Sequence, residues 1–392
     1  MLAEGNRRDW RGHKRRVIEN ARRVLVKVGS AVLTDEQGLN LRVVNRLADQ
    51  IAALHDRGLD VILVTSGAVA AGRRRLLACP PCGKDVFGMP AKQAVAAIGQ
   101  SRLMHEYDEA FARCGKITAQ ILLTRDDFQS RQRFLNARNT LTTLLEWRVI
   151  PIINENDSVA VAELAFSDND ALASMVLGLV DADLFVNLTS AAGVFDANPA
   201  ENSAARCLEC IEDITHLDVE TMCQGKTAVG SGGMYSKLLA AKRAAQLAVP
   251  TLIVSGRERY ALEKAMSGEE DMGTWIMPEE QAIPSRKFWL AYHSKPMGEI
   301  WVDEGAARAL RDKGKSLLPA GISRVEGRFG KGAHVRILDW QGQTIGVGVT
   351  NYAAQDLKKI MGRRTGSIEE LLGPGLYPEV VHRDNMLLDP AL

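Results

Sequence analysis

The sequence predicts an α/β protein: a three-layer, mostly parallel sheet with helices on both faces, followed by a small β-rich domain. Short β-branched runs recur through the first 280 residues, each closed by Gly, Ser, Asn or Thr and followed by a stretch with helical spacing. Units of this kind assemble into parallel sheets with right-handed crossovers. Near residue 280 the pattern changes. Pro278, Pro284 and Pro296 punctuate a linker, and the strands after it are short and rich in glycine. The expected divisions are a basic extension (1–23), an α/β domain (24–280), a linker (281–297), a β-rich domain (298–375) and a C-terminal tail (376–392).

The elements follow in order. Residues 1–23 carry Arg7, Arg8, Arg11, Arg15, Arg16, Arg22 and Arg23, a basic arm that can touch RNA or an acidic partner but reads first as a solvated extension dispensable for activity. The first strand, Val24–Ser30, contains Lys27 among apolar neighbours. A buried ammonium needs an anion, so Lys27 aims at a ligand, or else snorkels at a sheet edge. A helix over 40–57 follows, then the strand Val61–Val64, ending in Thr65-Ser66-Gly67. Ligands of open α/β sheets bind at the carboxyl ends of strands, where Ser66 and Gly67 can receive a carboxylate; the same residues also suit a helix cap.

A helix over 91–113, a strand over 118–123 and a helix over 131–147 come next. Arg131, Arg133 and Arg138 on the last read as surface or subunit contacts. The strand 149–153 empties into Asn154-Glu155-Asn156-Asp157-Ser158, and Ser167-Asp168-Asn169-Asp170 opens the helix 171–180. Asp168 or Asp170 can cap that helix. Carboxylates and amides gathered at neighbouring strand ends also bind an amine or order lysines around a phosphoryl group. After the strand 184–188 comes Thr189-Ser190, and later Gly230-Ser231-Gly232-Gly233-Met234-Tyr235-Ser236-Lys237, a small-residue loop running into a helix. Glycine lets backbone approach a ligand, and a helix start favours an anion. The spacing is not that of a Walker A loop, and a helix-capping turn with an exposed lysine is the other reading. A strand over 251–255 ends the series.

Composition narrows the function. The chain of 392 residues is 46% hydrophobic, 25% charged and has net charge +1; that is not a nucleic-acid-coating or membrane-surface balance. Six cysteines are few for this length and point to a reducing compartment. Cys79–Cys82 and Cys207–Cys210 are C-x-x-C pairs, but their separation and plain flanks argue against zinc. No apolar run reaches the roughly 18 to 20 residues of a membrane span, and no secretory h-region is visible. A cytoplasmic enzyme is expected.

Across nearly the whole chain the sequence resembles the glutamate 5-kinase family of the amino-acid-kinase superfamily, with a C-terminal PUA domain. The motifs are Val26–Ser30, Val64–Gly72, Arg133–Arg138, Ile153–Asp157, Asp168–Asp170 and the 230–237 loop, with Val302–Ala306 and Ser316–Ile322 in the second domain. The resemblance implies the amino-acid-kinase fold and ATP-dependent phosphorylation of the γ-carboxylate of L-glutamate to L-glutamyl 5-phosphate, the first step toward proline. It implies that Ser66, Asp157 and Asn169 bind glutamate. It implies that Lys27, Thr189, Ser190, Ser231, Gly232, Gly233, Met234, Tyr235, Ser236 and Lys237 meet ATP. Lys27, Lys237 and Asp170 would be catalytic, with Asp170 holding the lysines. Mg²⁺ would ride on the ATP phosphates, with no metal site of the protein's own. Proline feedback and a homo-oligomer are family behaviour. Ser190 stands where the family usually has Asp, so its contact with ATP is the least secure transfer. Other readings are a related kinase of acetylglutamate, aspartate or a nucleoside monophosphate, or RNA binding by the second domain. The latter has Arg324, Arg328, Lys331, Arg336, Lys358, Lys359, Arg363 and Arg364 but no basic–aromatic stripe.

Overall fold

The computed structural model describes residues 9–36, 38–77, 88–160, 169–199, 201–214, 217, 219, 233–268, 272–283, 296–363, 368–373 and 377–388. It divides into two compact units, Met1–Ala282 and Ile283–Leu392.

The first unit is built on a sheet of β1 (Arg23–Val28), β4 (Asp60–Val64), β5 (Thr118–Leu123), β6 (Ile150–Glu155), β7 (Leu184–Thr189), β8 (Cys210–Ile211), β9 (Thr251–Ser255) and β10 (Thr274–Ile276). A two-stranded ribbon, β2 (Thr34–Asp35) and β3 (Gly38–Leu39), stands apart. The sheet order is β5-β6-β4-β1-β7-β9-β10-β8. Neighbours from β5 through β9 are parallel, β10 is antiparallel to β9, and β8 is parallel to β10. The apolar runs of β1, β6 and β7 are buried along almost their whole length, as strands covered on both faces must be. From β1 the chain builds outward on one side through β4, then returns on the other with β7. The strand order therefore reverses at β1, and the crevice beside its carboxyl end is the place where ligands settle.

Helices flank this sheet: α1 (Trp10–Asn20), α2 (Ser30–Leu33), α3 (Leu41–Asp56), α4 (Ala68–Leu77), α5 (Met89–Ala112), α6 (Arg125–Gln129), α7 (Arg131–Glu146), α8 (Asn169–Val180), α9 (Met234–Gln246) and α10 (Ala261–Ala265). Asn40 caps α3 by accepting from the Val43 N–H at 3.3 Å, and Val44, Leu47, Ile51 and Leu54 form its buried stripe. α4 and α5 meet backbone to backbone. A Cβ placed on Gly72 would lie 1.9 Å from the Val95 carbonyl, and one on Gly99 would lie 1.7 Å from the Ala68 carbonyl.

The second unit holds a five-stranded sheet of β11 (Gly298–Val302), β12 (Ile322–Gly327), β13 (His334–Leu338), β14 (Thr344–Thr350) and β15 (Val381–Leu387), ordered β12-β11-β13-β14-β15. Helices α11 (Glu304–Lys313), α12 (Ala354–Ile360) and α13 (Ile368–Leu372) accompany it. Ile300, Val302, Val335, Ile337, Leu357 and Val380 belong to a core of its own.

Both chain ends differ from the sequence expectation. The basic arm is not merely solvated: Asp9 caps α1 by accepting from the Gly12 N–H at 2.9 Å. Ile18 enters the main core, with Trp10 and Val17 packed against it. His13 also lies 6.0 Å, ring centre to ring centre, from Trp275. An apolar stripe of Trp10, Val17 and Ile18 hidden among arginines explains both the docking and why charge concealed it. The expected C-terminal tail contains β15, which pairs with β14 through Val347↔Leu387 and Gly348↔Met386.

Because neither glycine at the α4–α5 crossing can gain a methyl group without moving backbone, Gly99→Ala is expected to cost about 1–3 kcal/mol. A lowered urea midpoint of the purified variant would show it.

Candidate active site

Lys27 is the next-to-last residue of β1, and it is only 3% exposed. Its ammonium meets Asp170 Oδ1 at 2.6 Å. Asp170 sits in the first turn of α8 with no exposed surface. Lys237, in the first turn of α9, reaches the other oxygen, Oδ2, at 3.0 Å. Two neutral donors complete the carboxylate: Asn187 Nδ2 of β7 to Oδ1 at 2.8 Å, and Ser236 Oγ to Oδ2 at 3.0 Å. Burial alone would push the Asp170 carboxyl up, but the charges and hydrogen bonds of Lys27 and Lys237 outweigh it and hold the group below the ordinary aspartate value. One carboxylate thus fixes two ammonium groups that arrive from β1 and α9.

Gly233 precedes α9 in extended conformation and offers no side-chain cap. The start of α9, with its partial positive charge, favours an anion. Ser231 and Gly232 lie outside the described residues, as do Asp168 and the Cys79–Cys82 pair. Met234 and Tyr235 turn toward the apolar cluster of Val194, Ile211 and Leu238, so these two side chains are packing groups.

The other half of the site lies at the carboxyl ends of β4 and β6. Asn169 Nδ2 is 2.6 Å from the Thr65 carbonyl, 2.9 Å from Ser66 Oγ and 2.9 Å from Asn154 Oδ1. β6 extends through Asn154 and Glu155, which pair with Leu122 and Leu123 of β5. The strand expected over 149–153 therefore runs two residues further, into the polar cluster. Burial pushes the Asp157 carboxyl above its ordinary value.

Lys27, Ser66, Asn154, Asp157, Asn169, Thr189, Ser190 and Lys237 line one cavity of about 670 Å³. Asp170 supports it from behind. Asn187, which carries the carboxylate between the lysines, was not singled out from the sequence; a polar residue inside the apolar run Leu184–Leu188 was the available signal. Arg133 and Arg138 form ion pairs with Asp127 at 3.2 Å and Asp181 at 2.7 Å. Burial, with Glu212 and Glu209 adding to it, pushes the Cys210 thiol up to about 12, so without a partner cation it stays protonated at neutral pH. Chemically, the cavity joins a cationic, anion-binding end to an end lined by hydroxyl, amide and carboxylate groups. Such a pair suits transfer of an anionic group onto an acceptor that bears an amine.

Residues 22–255 match the Amino acid kinase family, and residues 298–372 match the PUA domain. Glutamate 5-kinase of Oleidesulfovibrio alaskensis is 59% identical over 384 residues, covering 98% of this chain and 100% of that protein. The Maridesulfovibrio salexigens glutamate 5-kinase is 58% identical over 375 residues, covering 96% of this chain and 98% of its own. That of Geobacter sulfurreducens is 46% identical over 376 residues, covering 95% and 99%.

Asp170→Asn would leave two buried lysines without their carboxylate, at an expected cost of about 3–5 kcal/mol. The wild-type carboxyl is depressed on folding, so its contribution is complete above the ordinary aspartate value and is lost as pH falls through the depressed one. Chemical denaturation of both proteins across acid pH should show the gap closing in that direction.

Proposed function

The chain belongs to the amino acid kinase family, within its glutamate 5-kinase group, and we infer from that membership what the cavity does. It transfers the γ-phosphoryl group of ATP to the side-chain carboxylate of L-glutamate, giving L-glutamyl 5-phosphate, the first step of proline biosynthesis. The observation that carries this reading at the level of residues is the Lys27–Asp170–Lys237 cluster at the end of the cavity.

The acceptor needs no general base, because a carboxylate is already ionised at neutral pH. Its oxygen attacks the γ-phosphorus, the bond to the β–γ bridging oxygen breaks, and the electron pair leaves with ADP. Catalysis then rests on alignment and charge neutralisation. We assign Lys27 and Lys237 to the transferring phosphoryl group, and Asp170 to holding them apart at fixed positions. The start of α9, with Thr189 and Ser190, faces the rest of the nucleotide. Ser190 brings a hydroxyl but no charge to that contact. Ser66, Asp157 and Asn169 take the amino acid, with Asp157 ionised against its ammonium group. Both Asp170 oxygens are engaged by lysines, and among the described residues no group of three His, Cys, Asp or Glu side chains is placed to hold a metal. Magnesium is assigned to the ATP phosphates, where it would neutralise charge.

No helix among the described residues is long and apolar enough to cross a membrane. A cytoplasmic setting, where glutamate and ATP are abundant, fits the substrates. Feedback by proline and assembly as a homo-oligomer are part of the same reading; ATP consumption with L-glutamate, with and without proline, tests the first.

Lys27→Ala and Lys237→Ala are each expected to lower kcat by about 10² to 10³ with modest change in KM; a variant with near-normal kcat would remove that lysine from the mechanism. Asp157 binds the ammonium only when ionised, and its carboxyl is raised by burial. KM for glutamate should therefore climb as pH falls, from a higher pH than an ordinary aspartate would give. Asp157→Asn should raise KM at neutral pH and flatten that profile.

A further inference from the structure

The amide of Asn169 is oriented by backbone. Its Nδ2 lies 2.6 Å from the Thr65 carbonyl, which can only accept, so Oδ1 points elsewhere. Asn154 is fixed in turn, because its Oδ1 accepts from Asn169 Nδ2 at 2.9 Å and from the Glu155 backbone N–H at 2.9 Å. Its Nδ2 therefore faces α5, where it donates to Gln100 Oε1 at 2.7 Å. Gln100 ends the ladder as an acceptor. Its own Nε2 is buried with no hydrogen-bond partner among the described residues, so only its oxygen serves the site.

Two turns along α5, on the same face, the Tyr107 hydroxyl lies 2.8 Å from Thr65 Oγ1. Thr65 Oγ1 donates to the Ser66 carbonyl at 3.2 Å, so Tyr107 supplies the proton of the bond between them. The Thr65–Ser66 segment and the Asn154–Asn169 ladder are thus both tied to one helix. The height of that helix is set beside Gln100, where Gly99 packs against the Ala68 carbonyl at the start of α4. Neither Gln100 nor Tyr107 lines the cavity. The lysine end of the site has its own supports, Asn187 and Ser236.

We propose that Gln100 and Tyr107 are positioning residues for the amino-acid acceptor, orienting Asn169 and Ser66 from behind while leaving the nucleotide end untouched. The proposal rests on the glutamate kinase reading. It predicts a split that general loss of packing would not produce: a change in KM for glutamate without one in KM for ATP.

The test is steady-state ATP consumption by the full chain, varying L-glutamate and ATP separately, with thermal melting of each variant. Wild-type protein without glutamate-dependent turnover would overturn the functional reading itself, before any variant is made. Given turnover, Gln100→Met, which leaves Asn154 Nδ2 without its acceptor, should raise KM for glutamate by about tenfold. KM for ATP should stay within about twofold, since no hydrogen bond at that end is lost. Gln100→Glu keeps an acceptor in place and should restore KM for glutamate. Tyr107→Phe removes one oxygen and should raise the same KM by about fivefold. The proposal is overturned if both KM values rise together, if neither moves, or if Gln100→Glu is as impaired as Gln100→Met. Should Gln100→Met fail to fold, Tyr107→Phe decides alone, and an unchanged KM for glutamate sinks the idea.

Discussion

A single buried carboxylate governs this molecule. Asp170 accepts from Lys27, Asn187, Lys237 and Ser236, and those donors come from β1, β7 and α9. Desolvating an aspartate is unfavourable, and so is desolvating either lysine; each is tolerated because the others are present. The cluster therefore makes the relative placement of two strands and two helices a condition of burying charge at all. It also keeps both ammonium groups in a water-poor setting, where an electrostatic contact with a ligand is strongest.

The sheet topology explains how residues so distant in sequence share one cavity. β1 is the strand at which the connections reverse direction, with β4 on one side and β7 on the other. Lys27, Ser66 and Thr189 are carried at or just beyond the carboxyl ends of these three neighbours. β6 adds Asn154 beyond β4. Helix starts fill the remaining edge, with Asn169 and Asp170 from α8 and Lys237 from α9. The two ends of the cavity are supported by different second partners: Asn187 and Ser236 at the lysines, Gln100 at Asn154.

Much of this was legible in the residues. Continuous β-branched runs marked the buried parallel strands, and Lys27 stood out because a charge inside such a run demands a partner. The break near residue 280 was visible in proline spacing. Other features were not local and so stayed hidden. The hydrogen bonds of Asn187 and Gln100 depend on elements folded from elsewhere, and a glutamine on an amphipathic helix looks like any surface residue. The docking of α1 was masked by its arginines, and β15 by its distance from the other strands. Met234 and Tyr235 fall in the glycine-rich loop that the sequence suggests as a phosphate cradle, yet their side chains pack against an apolar cluster; a motif specifies backbone placement without specifying where each side chain turns.

The central position of β1 also has a temporal side. Among the described strands it is the first to be synthesised, and its partner β4 follows soon, Asp60 lying 37 residues after Arg23. Its other neighbour, β7, starts beside Asp183, which is 160 residues after Arg23. Through that interval the growing chain carries β1 as an open edge, and pairings of such long range form late. A bare apolar edge invites intermolecular pairing, and a lysine on it discourages that pairing. Lys27 is a charge of that kind on the strand that waits longest for its second neighbour.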